Sequence, residues 1–193
     1  MRESRQGGLP ALRPGEAWPT GASGEPLDFV CQLDLAILPP EVLGDERAGL
    51  AQLFFSGETN EHLVRLLPSE GELVMAEPLP NREPHEPRQT ITGWLKPKED
   101  WPHRDSLEAQ PLDAEEREAL EKLNLAGDKA GGWPHWIQGG GEEKSASGVV
   151  CDRLLLQLDA GGKLPYTFGD NGIAFLLASA SEPTQLAFTW QTP

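Results

Sequence analysis

Leu154-Leu155-Leu156-Gln157-Leu158-Asp159 nearly repeats Phe29-Val30-Cys31-Gln32-Leu33-Asp34, each being three apolar residues followed by Gln-Leu-Asp. A glycine pair stands upstream of both: Gly7-Gly8-Leu9-Pro10 before the first, Gly131-Gly132-Trp133-Pro134 before the second. Gly8 precedes Gln32 by 24 positions and Gly132 precedes Gln157 by 25. Downstream, Gly49-Leu50-Ala51-Gln52-Leu53-Phe54-Phe55-Ser56 matches Gly172-Ile173-Ala174-Phe175-Leu176-Leu177-Ala178-Ser179. Three landmarks recurring in one order at nearly one spacing read as an internal duplication, with repeats at 7–68 and 131–193 and an insert at 69–130.

Apolar residues alternate in both copies. Phe29, Cys31, Leu33, Leu35 and Ile37 share one face of a strand over 27–37, and Val30, Gln32, Asp34 and Ala36 share the other. Further strands are expected at 49–55 and 61–67, with a hairpin loop at Ser56–Asn60 between them, and in the second repeat at 149–159, 173–178 and 185–190. Asn171-Gly172 within Gly169-Asp170-Asn171-Gly172 tolerates the positive φ angles of a tight turn. Each repeat spans about 62 residues, near the lower limit for independent folding. The expectation is therefore one α+β domain over 7–193, mostly antiparallel β, built from two pseudo-equivalent β units with one main surface helix. That helix is placed at 114–125, with Asp113 as N-cap, Glu116 in capping-box position and Gly127 as its stop. Pro39-Pro40-Glu41 opens a second, short helix. Seven of the 18 prolines fall between Pro78 and Pro111, which reads as extended loop with one strand at 89–95. Residues 1–6 are polar and read as a disordered tail.

The 193 residues carry a formal net charge of −15, from 31 acidic against 16 basic side chains. Such a balance disfavours nucleic-acid backbones and anionic membranes, and favours a basic partner. No apolar run approaches the roughly 18 residues of a membrane span, and the N-terminus lacks a signal-peptide core, so the expectation is a cytoplasmic protein. Cys31 and Cys151 are too few for a disulfide framework, and Cys31 alternates in phase with buried positions as an inert thiol would.

With Gly-Gly-Leu-Pro, Trp18-Pro19, the 28–35 strand, His135-Trp136-Ile137-Gln138, Leu156-Gln157-Leu158-Asp159 and Phe168-Gly169-Asp170-Asn171-Gly172 in view, the sequence resembles the YwqG-like family, a bacterial family classed as a domain of unknown function. The match runs over nearly the whole chain, except that the 76–112 stretch does not align. The resemblance implies a single β-rich α+β domain and brings no catalytic residues with it.

The motifs of common chemistries are missing. His62, His85, His103 and His135 fall far apart, with no His-x-His or His-Glu-x-x-His spacing, so no metal or cofactor is expected. There is no Gly-x-Ser-x-Gly elbow, no phosphate-binding loop, and no context marking a nucleophilic cysteine. Two sets of candidate binding residues stand out. Gln32, Asp34, Gln157 and Asp159, with Asp170 in its turn, could line a cleft between the repeats and hold a small polar ligand or a cation, or could instead fix turn backbone. Trp133, His135, Trp136 and Gln138 form an aromatic, glycine-flanked segment suited to a partner or a pocket. The reading is a non-enzymatic protein-binding module, of the immunity or adaptor kind, in which acidity speeds capture of a basic target. The alternatives are a small-molecule or cation sensor using the inter-repeat cleft, or an enzyme whose site is assembled only in the fold.

Overall fold

The structure is a computed structural model. It describes residues 1–44, 47–80, 82–84, 88–95, 99–104, 106, 109–160 and 167–193; His85 lies outside them. The fold is α+β and mostly antiparallel sheet. Contacts group the chain into two compact units, residues 1–37 with 47–93, and residues 38–46 with 94–193. The stretch expected as one insert, 69–130, is thus shared between them.

In the first unit, β1 (Arg5–Gln6), β2 (Ala11–Leu12), β3 (Asp28–Asp34), β4 (Leu50–Phe55), β5 (His62–Leu67), β6 (Val74–Met75) and β7 (Gln89–Thr90) form two sheets. One has five strands in the order β5-β4-β3-β1-β7, and the other pairs β2 with β6. The apolar face of β3 packs Phe29 with Leu12, Leu27, Phe54 and Ala76. A bulge between Phe29 and Cys31 shifts the register against β4, so Gln32 lies opposite Gln52 and both are fully buried. β3 ends at Asp34, and Leu35–Ile37 turn as a 3-10 helix instead of continuing the strand.

The start of the chain corrects the sequence reading. Residues 1–6 are no disordered tail: Arg5 and Gln6 form β1 between β3 and β7, and Arg5 is wholly buried. Its guanidinium donates to Leu9 O at 3.1 and 2.6 Å and lies over the Phe29 ring, 6.0 Å from its centre. Burial, with Arg88 adding to it, lowers its pKa to about 10, so it stays charged at neutral pH. Hydrogen bonding inside the fold overrides the polar composition that made this segment look unstructured.

In the second unit, α1 (Pro40–Leu43) and α2 (Ala114–Glu121) accompany β8 (Arg153–Asp159), β9 (Ile173–Ala178) and β10 (Leu186–Gln191), ordered β10-β9-β8. The expected capping box on α2 is present: Glu116 N donates to Asp113 Oδ1 at 2.9 Å and Asp113 N to Glu116 Oε2 at 3.0 Å. α2 ends at Glu121, short of the expected 125. Leu123 N turns back to Leu120 O, and Leu125 N is taken by the Asp100 carboxylate at 2.9 Å, which draws the chain off the helix axis. No helix among the described residues is long and apolar enough to cross a membrane.

A similar set of hydrogen bonds occurs within each unit. Gly7 N donates to Val30 O, and Gly131 N to Leu155 O. Gln32 Nε2 donates to Glu3 O and Gln157 Nε2 to Gly127 O. Ala11 N donates to Gln32 Oε1 and His135 N to Gln157 Oε1. β8 carries its own bulge, between Leu154 and Leu156. After each glycine pair comes a short bridged loop, Thr20 with Pro26 and Lys144 with Val150. In it Leu27 N donates to Pro19 O, and Cys151 N to Glu143 O. Counted along the backbone from these bonds, Glu142 and Trp18 each stand one residue before the accepting carbonyl, Glu143 O and Pro19 O.

Candidate functional site

Gly131 and Gly132 have φ of 68° and 73°, the left-handed region that favours glycine. A Cβ on Gly132 would fall 2.2 Å from Asp100 Oδ2. The carboxylate can come this close because its oxygens accept from Leu125 N, Trp133 N and Lys129 Nζ, each at 2.9 Å. Asp100 and Lys129 side chains are 9% and 12% exposed, so this is an enclosed ion pair. Beyond the turn, His135 N is held by Gln157 at 2.8 Å. Trp136 is thereby delivered onto Phe175, ring centres 4.5 Å apart, in a cluster with Cys151, Leu154, Ile173, Leu177 and Ala187. Gln191 Oε1 accepts from Ile137 N and Gln138 N, both at 2.8 Å, and fixes the end of the segment to β10.

This segment forms one wall of a cleft of about 220 Å³, whose lining includes His103, Ser106, Trp133, Trp136, Glu142 and Asp152. Gly140 packs so closely that a Cβ there would lie 2.8 Å from Trp136 Nε1. Around a Cβ on Gly141 the space is open to 4 Å. Ser106 is 3% exposed, and its Oγ is buried with no hydrogen-bond partner among the described residues. Among the described residues no lysine or arginine lines the cleft. In the first unit a smaller space, of about 20 Å³, lies beside Gly8, Leu9, Trp18 and Phe29. There the Trp18 indole donates to Leu27 O at 2.7 Å and sets its edge against Phe54, centres 6.4 Å apart.

Behind the wall, His135 Nδ1 meets Asn124 Oδ1 at 2.6 Å. The Asn124 amide nitrogen donates to Trp101 O at 2.7 Å and Pro134 O at 3.4 Å. Its oxygen is therefore the acceptor, His135 Nδ1 carries the hydrogen, and Nε2 of the neutral ring keeps its lone pair. The His103 ring stands edge-on to His135, 5.8 Å away at 87°. Burial lowers the His135 pKa from its ordinary 6.5, as do the His103 and Lys129 charges, against a weaker pull from Asp159 and Asp100. Stability follows from the sign. Below 6.5 the unfolded chain takes up a proton that folded His135 resists, so this group's contribution is full above 6.5 and falls as pH drops. An NMR titration should give His135 a midpoint below 6.5. His135→Gln should flatten the decline in urea midpoint between pH 7 and 5.5; an unchanged slope would refute the assignment.

The cysteine in the cleft wall is not poised as a nucleophile. The Cys151 thiol faces Val149 O at 3.6 Å and Gln185 O at 3.5 Å, and burial is the first of the causes that raise its pKa, which holds it protonated. Cys31 is fully buried and pushed up to about 12. Among the described residues no group of three or more His, Cys, Asp and Glu gathers as metal ligands would.

Of the residues singled out in the sequence, Trp133 and Trp136 line the cleft, and His135 backs it. Gln138 is exposed and donates to Thr192 O at 2.9 Å. Gln32 and Gln157 are 0% exposed, their amides engaged with backbone of their own units. Asp34 Oδ1 caps Ala36 N at 3.0 Å, Asp159 N is held by Asp128 at 2.8 Å, and Asp170 is exposed in its turn. The carboxylates at the cleft are Glu142 and Asp152 instead. Asp100 and Ser106 are not singled out in the sequence because they lie in the proline-rich stretch, which has no periodicity to place them; there His103 counts only as one of four dispersed histidines, and Asn124 only as part of the helix expected at 114–125. Glu142 had a signal: aligning the glycine pairs sets it against Trp18.

No curated protein matches the chain. The model of one family, described as Domain of unknown function (DUF1963), matches residues 4–190, nearly the whole length. On that match, the chain belongs to the DUF1963 family.

Proposed function

We propose that this protein is a non-enzymatic recognition module of the cytoplasm, of the immunity or adaptor kind, which binds a basic protein partner and receives one of its side chains in the Trp133–Trp136 cleft. One observation carries the reading: the second unit holds a cleft of about 220 Å³ walled by Trp133 and Trp136, with Glu142 and Asp152 in its lining. The volume lies below the roughly 300–1,000 Å³ of drug-sized sites and suits a single inserted group. Two tryptophans in the wall are the residue type that most often anchors an interface, and the net charge of −15 would speed encounter with a basic surface. Two free buried cysteines suit a reducing compartment.

The test is Glu142→Trp, which puts a bulky indole into the cleft's lining. A pull-down from the native host should retain a protein partner at low salt and release it at high salt. Glu142→Trp should lose that partner while its circular dichroism and urea midpoint stay near those of the parent chain. A partner retained equally by the plugged variant would remove the cleft from the reading.

A further inference from the structure

The cleft's lining limits what it can receive. We infer that it binds an organic cation, the guanidinium or ammonium end of an arginine or lysine side chain on a basic polypeptide; this rests on the recognition reading above.

Three features converge on that chemistry. The walls present the indoles of Trp133 and Trp136, whose π faces attract a cation at short range. Glu142 and Asp152 supply two carboxylates to the lining, with no lysine or arginine among the described lining residues to neutralise them or to hold an anion. Among the described residues Glu142 pairs with Lys144 at 3.7 Å, and both side chains are more than half exposed, so the pair is weak and yields to a better-placed cation. Asp152 Oδ1 accepts from Ala180 N at 2.8 Å. Ser106 Oγ is the third feature: a buried hydroxyl without a partner is costly, and its lone pairs are the acceptor that an incoming N–H lacks inside an aromatic slot. His135 adds no opposing charge at neutral pH, because its pKa is lowered. A metal ion is a poorer fit, since two carboxylates and a hydroxyl with aromatic walls do not make the six to eight oxygens of a hard cation site.

The experiment follows the tryptophan indole N–H signals of the full chain by NMR during titration with N-acetyl-arginine amide, N-acetyl-lysine amide and the neutral isostere N-acetyl-citrulline amide. The arginine probe should shift the Trp133 and Trp136 signals, and citrulline should bind roughly tenfold more weakly, the scale of a desolvated cation–indole contact. Glu142→Gln and Asp152→Asn should each weaken the arginine probe about three- to tenfold, within the range of charge-assisted hydrogen bonds, and Glu142→Trp should abolish its effect. An arginine-rich peptide should bind at least tenfold more tightly than the single amide; equal affinities would overturn the polypeptide source in favour of a free small cation. Citrulline matching arginine would overturn the cation inference and leave the recognition module standing. Silent indole signals, with partner capture still lost in Glu142→Trp, would do the same. Silent signals together with capture indifferent to Glu142→Trp would remove both.

Discussion

Replacing Asp100 with alanine should destabilise the chain by about 3–5 kcal/mol, the range for breaking an enclosed ion pair from one side. The carboxylate is 9% exposed and its partner Lys129 12%. Burial already lowers the Lys129 pKa and Asp100 opposes that shift, so without Asp100 the ammonium must deprotonate or drag in water. Two backbone amides, Leu125 N and Trp133 N, lose their acceptor at the same time. Urea unfolding gives the number. The double variant Asp100→Leu with Lys129→Met should recover a large part of the loss, because a matched apolar pair leaves no charge stranded. A loss below about 1 kcal/mol for Asp100→Ala would mean that the pair is solvated in solution and does not hold the glycine turn.

The second large effect belongs to the repeated glutamine. In Gln32→Leu, the Ala11 amide loses its acceptor at 3.0 Å, the Gln52 amide loses one at 3.3 Å, and the Met1 and Glu3 carbonyls lose a donor. Ala11 is 0% exposed, so its N–H finds no water in exchange. Each group stranded this way costs on the order of 1–3 kcal/mol. Gln157→Leu strands His135 N and Gly127 O in the same manner. Glutamate is no substitute at either position, because a carboxylate would face carbonyl oxygens that need a donor. The two leucine variants separate stability from binding. Both should lower the urea midpoint, but Gln157→Leu alone loosens the 133–138 segment and should weaken the arginine probe. Equal binding losses in the two would contradict the placement of the site in the second unit.

Much of the architecture could be read from apolar alternation and turn residues. β3, β4, β5, β8, β9 and β10 fall within a few residues of their expected places, and Asp113 with Glu116 announced α2. What escaped has a common cause. β1 and β2 are two residues long, too short for any period to show, and they exist because a neighbouring strand offers partners; β7, at Gln89–Thr90, is only the start of the strand expected at 89–95. Arg5 escaped because a buried arginine is legible only through the carbonyls that receive it. At the site, Trp133 and Trp136 were visible by composition. Their opposing wall was not, since His103 and Ser106 reach the cleft through a stretch without alternation. The repeated Gln-Leu-Asp is open to two readings in the sequence, a ligand set or a fix on backbone, and its two glutamines bond to backbone of their own units.

Residues 38–46 make the chain indivisible in a way its repeats do not suggest. They interrupt the first unit in sequence but pack with the second. A Cβ on Gly131 would fall 2.5 Å from Val42 Cγ2, and Arg153 Nη1 donates to Val42 O at 3.2 Å. A gene cut between residues 93 and 94 would therefore strand a piece of the C-terminal half inside the N-terminal product. That half, expressed alone, would show an apolar socket to other chains and aggregate, and a peptide spanning 38–46 added in trans should restore its solubility.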